Sequence, residues 1–110
     1  PEQKRIALLS RSGGVSIYYV TDYNDDAKKL IGTRTVLPIN DVVRDIQWIP
    51  SLPQSLALIT DDDRFLITEL DLRRPLNTVH IATGITTIAI SDNDIYMLAS
   101  DGTLTSFELK

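Results

Sequence analysis

The densest chemistry in this sequence is a run of three carboxylates, Asp61-Asp62-Asp63. Carboxylate oxygens bind hard cations such as calcium. A calcium loop spaces its ligands as D-x-D-x-D-G with a distal Glu, and nothing after Asp63 continues in that way. A solvated turn, in which Asp bonds its own backbone, accounts for the run without a metal. Asp22-Tyr23-Asn24-Asp25-Asp26 reads as a second exposed acidic loop. His80, the single histidine, could join a Ser and an Asp in a nucleophilic triad. No G-x-S-x-G elbow is there to hold the nucleophile. The order Val79-His80-Ile81 also sends the ring to the face opposite its apolar neighbours, toward solvent. Ser12-Gly13-Gly14 lacks the helix and Lys of a phosphate-binding glycine turn and reads as a hairpin turn. Arg73-Arg74 before Pro75 offers two positive charges, too few for a nucleic-acid footprint. Trp48 could anchor a partner, but its place in the series Val43, Ile46, Trp48 puts it in the core. Cysteine is absent, so disulfides, thiolate metal sites and Cys nucleophiles are excluded. No catalytic, cofactor-binding or metal-ligating set emerges; the residues point away from an enzyme and require no cofactor.

The elements that would position these residues follow from composition and pattern. The chain has 110 residues, 43% of them hydrophobic and 24% charged, which fits one soluble globular domain rather than a disordered segment. Its net charge of −4 argues against a nucleic-acid module, which is usually basic. No apolar run approaches the roughly 18 residues of a membrane helix, and no signal segment opens the chain at Pro1. The one stretch of helix formers, Asp25–Leu30, is too short to stand alone. β-Branched and aromatic runs are everywhere else: Arg5–Ser10, Val15–Val20, Lys29–Leu37, Val42–Ile49, Leu56–Thr60, Phe65–Leu70, Thr78–Ala82, Ile85–Ile90, Ile95–Ala99 and Thr103–Leu109. Short strands with turn residues about every ten positions predict an all-β chain.

These strands repeat. Leu56–Leu70 aligns with Ile95–Leu109 without a gap at an offset of 39, bringing Leu56 onto Ile95, Ile59 onto Leu98 and Phe65 onto Leu104. Ile6–Val20 aligns with the same segment at an offset of 89, with Ile6 on Ile95 and Gly13 on Gly102. The preceding strand recurs as well: Val43, Ile46 and Trp48 match Ile85, Ile88 and Ile90 at an offset of 42. With the strands of one unit labelled a to d, the chain reads b-c-d over 1–38, a-b-c-d over 39–82 and a-b-c over 83–110.

A four-stranded unit of about 40 residues resembles a blade of a WD-repeat-type β-propeller. Val43-x-x-Ile46-x-Trp48-x-Pro50 is similar to the first strand of such a blade, and Ser100-Asp101-Gly102-Thr103-Leu104 to its central hairpin, where Asp-Gly supplies positive φ angles. The Trp-Asp ending of the third strand is missing, its place taken by Tyr18-Tyr19, Thr68-Glu69 and Phe107-Glu108. The Gly-His opening is missing too, with Asn40-Asp41 and Thr83-Gly84 near that place. These look like degenerate blades. The alternative architecture is a small single β-barrel or a PH-like sandwich, although a PH-like domain ends in a long helix and this chain ends in a strand-forming segment.

The resemblance implies a partial propeller of about ten strands whose sheet faces must be covered by neighbours. It implies a non-enzymatic interaction scaffold in a larger intracellular complex, cytoplasmic or nuclear. Other protein chains would complete or cap the ring, with a homo-oligomer as the second choice, and no membrane or nucleic acid is implied. An enzyme fragment from a hydrolase- or lyase-type propeller and a self-associating lectin-like repeat are the rival readings. In such propellers the b–c and d–a loops share one face. Carried over, that face gathers Arg11, Asn40, Asp41, Asp61, Asp62, Asp63, Arg64, Thr83 and Asp101, an acidic surface suited to a basic peptide or protein patch.

Overall fold

A computed structural model describes residues 4–52, 54–70, 77–91 and 93–108. Among the described residues ten strands form three antiparallel sheets, with no closed barrel. The first sheet has the order β1-β2-β3, built from Lys4–Leu9, Val15–Asn24 and Lys29–Val36. The second has the order β4-β5-β6-β7, from Val43–Trp48, Ser55–Thr60, Arg64–Glu69 and Asn77–Thr83. The third has the order β8-β9-β10, from Ile85–Ser91, Asp94–Ala99 and Leu104–Glu108. The sheets thus hold three, four and three strands. The single-barrel alternative fails because each sheet is an open meander.

The repeat extends to backbone detail. The β1–β2, β5–β6 and β9–β10 hairpins each place one left-handed residue at the aligned position: Gly13 at φ 89°, Asp63 at 62° and Gly102 at 90°. In each, that residue's N–H bonds the carbonyl three positions earlier: Gly13 to Ser10 at 3.0 Å, Asp63 to Thr60 at 3.1 Å and Gly102 to Ala99 at 3.0 Å. Only the second residue of Asp101-Gly102 has positive φ, so the expectation of two such angles is corrected. Each is a four-residue turn whose last residue is left-handed, which suits the right-handed strand twist. Bulges recur too: the register shifts between Val43 and Asp45 and, at the aligned place, between Ile85 and Thr87.

Several boundaries differ from expectation. β2 runs to Asn24 rather than stopping at Val20, so Asp22-Tyr23-Asn24 is strand, not loop. A bulge between Val20 and Asp22 carries the ladder past Thr21, whose hydroxyl donates to the Ile31 carbonyl at 3.1 Å. Opposite this bulge sits Gly32, where a Cβ would lie 2.0 Å from the Tyr19 carbonyl oxygen. The helix-forming residues Asp25–Lys28 make the turn, with Asn24 Oδ1 accepting the Ala27 N–H at 3.0 Å and Lys28 at φ 53°. Trp48 and Ile46 are half-buried rather than core, because the bulge slips the alternation. Arg73, Arg74 and Pro75 lie outside the described residues.

The chain divides into two units, 1–42 and 43–110. In the first, Val15, Ile17, Tyr19 and Leu37 are buried. In the second, the second and third sheets pack face to face. Ile49, Ala57, Ile59 and Phe65 from one meet Ile85, Ile88, Ile95 and Met97 from the other. β5 is buried on both faces, Leu56 to Thr60 being at most 1% exposed, as suits a central strand whose residues are all apolar or hydrogen-bonded.

Candidate functional site

The joint between the second and third sheets is where the polar residues of the sequence come together. Its middle is the apolar layer just described. Its end, beside the hairpin turns, is held by hydrogen bonds. Asp63 adopts the left-handed conformation that Asp tolerates better than most side chains. That turns its carbonyl toward β8, where it accepts the Ile85 N–H at 2.9 Å. The Gly84 carbonyl in turn accepts the Ser100 N–H at 2.9 Å. The β5–β6 turn, the β7–β8 corner and the start of the β9–β10 turn are thereby tied in series.

Arg44 locks the same place. It is the bulged residue of β4, and the bulge aims it across the joint. One terminal nitrogen donates to the Thr86 carbonyl at 2.8 Å; the other bonds Asp63 Oδ1 at 2.6 Å and the Ile85 carbonyl at 3.2 Å. The carbonyls it takes flank the bulge of β8. Three residues farther from the turn end, Gln47 donates from Nε2 to the Ile88 carbonyl at 3.1 Å. A guanidinium and an amide thus read backbone, not side chains, on the neighbouring sheet. Sequence reasoning missed both residues. Arg44 stands 19 positions from Asp63 and 42 from Thr86, and its bulge leaves no local signature.

The expected site residues are distributed as follows. Arg11, Asn40 and Asp41 belong to the N-terminal unit, with Arg11 exposed in the β1–β2 turn. Asp61 is exposed at the tip of the β5–β6 turn. Asp62 accepts from the Thr60 hydroxyl and from Arg64 Nε at 2.9 Å. The Thr60 hydroxyl, helped by Arg64, holds the Asp62 carboxyl below the usual carboxylate range. Asp63 is taken by Arg44. Asp101 accepts the Thr103 N–H at 2.9 Å, and that bond holds its carboxyl low as well. Thr83 Oγ1 lies 3.2 Å from His80 Nε2, which also lies 3.1 Å from the Ala82 carbonyl oxygen. His80 is exposed, and these partners are not a Ser-Asp pair. Arginines pair with Asp62 and Asp63, and Asp61, Asp62 and Asp101 are exposed at the turn end of the second unit. Among the described residues, no three His, Cys, Asp or Glu side chains group to hold a metal, and no helix is long and apolar enough to cross a membrane.

Comparison with family models, with curated proteins and with solved structures finds no match.

Proposed function

We propose that this chain is a non-enzymatic protein–protein interaction scaffold, a set of degenerate WD-repeat-type propeller blades working inside a larger intracellular multiprotein complex. The observation that carries the reading is the joint of the second unit. One sheet lies on the next through an apolar layer, with the turns tied in series by backbone bonds, and both sheets are built on the same hairpin and the same bulge. Repeats of this kind bury their faces only on neighbours, so a run of them is an adaptor between chains. The turns, with Asp61 and Asp101 exposed, supply the polar surface for a basic peptide or protein patch.

The test is cross-linking of the tagged chain at its native abundance, with the linked residues identified. The reading predicts stoichiometric partners linked repeatedly through the turns and outer sheet faces, with no turnover of ester, glycoside or phosphate substrates by the purified assembly. Recovery of the chain free of partners and with a hydrolytic activity would contradict it.

A further inference from the structure

The repeat states what each sheet face is for, and two faces are left over. On β9 and β10 the positions aligned with Ala57, Ile59 and Phe65 are Tyr96, Leu98 and Leu104. The first three are buried in the joint, at 0%, 1% and 0% exposure, whereas the second three stand at 39%, 36% and 66%. Strand pairing puts them on one face: Thr87, Leu98 and Leu104 form one row, Ala89, Tyr96 and Ser106 the next, and Ser91, Asp94 and Glu108 the last. The third sheet therefore repeats, uncovered, the face with which the second sheet grips its neighbour.

Part of the matching half of that joint is also left over, on the first sheet: it repeats the β9 positions, while Ile85 and Ile88 of β8 have no counterpart there. Ile95 and Met97, which receive the second sheet, align with Ile6 and Leu8. Leu8, Ser16 and Val36 form one row of this face, and Ile6, Tyr18 and Arg34 the next. Leu8 is 40% and Val36 62% exposed. The charges are complementary. Asp94 and Glu108 face each other directly across β9 and β10, a like-charge pair that is unfavourable by itself. Arg34 is exposed at the corresponding end of the first sheet's face, away from the hairpin turn. The arginine–aspartate lock is not repeated, since Thr86 and Gly102 occupy the places of Arg44 and Asp63; this second joint is apolar with an ionic end.

We infer that the outer face of the third sheet docks on the outer face of the first sheet of a second copy, so that copies join head to tail. This rests on the blade reading proposed above and names the occupant of the open face. Such a contact is heterologous, with each copy using a different face, and it closes into a ring or continues as a filament according to the rotation per copy.

The test is sedimentation of the purified chain over a concentration series, with Leu104→Glu and Val36→Glu. Both side chains are largely exposed, so the variants should keep the strand circular-dichroism spectrum of the parent and the melting temperature of the parent diluted until it dissociates. The parent should reach at least twice the monomer mass, and each variant alone should lose that association. Mixing the two should restore a one-to-one pair, since each retains the face the other lacks. A parent that stays monomeric overturns the inference, as does association unaffected by Val36→Glu or a mixture that does not pair. A monomeric parent whose Leu104→Glu variant loses a different bound chain overturns the second copy but keeps the scaffold reading. A monomer unaffected in every binding assay by either variant removes both.

Discussion

Replacing Arg44 by Met keeps the aliphatic stem and deletes the guanidinium that spans the joint. Three interactions go. The Asp63 ion pair is about one-third to two-fifths exposed on its two sides, so it is worth only a few tenths of a kcal/mol, toward the low end of exposed pairs. The bond to the Thr86 carbonyl, at 2.8 Å, is worth about 1 kcal/mol net, and the longer one to Ile85, at 3.2 Å, about half that. The expected loss is about 2 kcal/mol. With a urea slope of roughly 2 kcal/mol per molar, the unfolding midpoint should fall by about 1 M. Trp48, the single tryptophan and a residue of β4 itself, supplies the fluorescence signal. Asp63→Asn removes only the ion pair and should cost about 0.5 kcal/mol. In a double-mutant cycle the coupling should match that smaller figure, because the rest of the Arg44 contribution goes to backbone. A coupling as large as the whole Arg44 effect would refute the assignment to backbone carbonyls. An Arg44→Met midpoint equal to that of the parent would refute the lock altogether.

Further outcomes follow from the same packing. Phe65→Ala should destabilise the chain by about 3–5 kcal/mol in thermal or urea unfolding, while Leu104→Ala at the aligned position should change the dissociated chain by no more than about 0.5 kcal/mol. Asp63→Gly relieves a left-handed backbone worth about 1 kcal/mol and forfeits the ion pair, so it should be neutral to slightly stabilising, whereas Asp63→Ala should lose on both counts. Gly32→Ala should cost about 3 kcal/mol and accelerate amide exchange along β2 and β3, because its methyl would displace the Tyr19 carbonyl. Folding holds the Asp62 and Asp101 carboxyls lower than in the unfolded chain, so their contribution is complete above the unfolded-state pKa and lost as pH falls through the folded one. Urea midpoints should therefore drop on acidification below about pH 4, less steeply in an Asp62→Asn, Asp101→Asn variant.

The strands were legible because each is short, β-branched and bounded by turn residues, and three hairpins could be laid over one another by Gly13 and Gly102. The middle member was harder, since Asp63 holds the left-handed position that glycine marks in the other two. Bulges were invisible. The one in β4 rotates Arg44 into the joint and leaves Ile46 and Trp48 half-buried, so a simple alternation placed Trp48 too deep. The one in β2 prolongs a strand through Asp22, which by composition looks like loop. Of the candidate site, the turns were legible and their partners were not. Asp61 to Asp63 read as a uniform acidic tip, but Thr60 and Arg64 hold one carboxylate and a distant arginine another, so two of the three charges are paired.

The central claim is that the outer face of the third sheet is covered when the protein is at work. The chain has no cysteine, so one introduced thiol reports one place without background. The decisive measurement is the maleimide labelling rate of Leu104→Cys in intact cells and in the purified chain diluted until it dissociates, with Asp25→Cys at the exposed β2–β3 turn as the reference. Strong protection of the position-104 thiol in cells, with equal rates in both settings for the reference, is the predicted result. Equal labelling of the position-104 thiol in cells and in dilute solution would contradict the account.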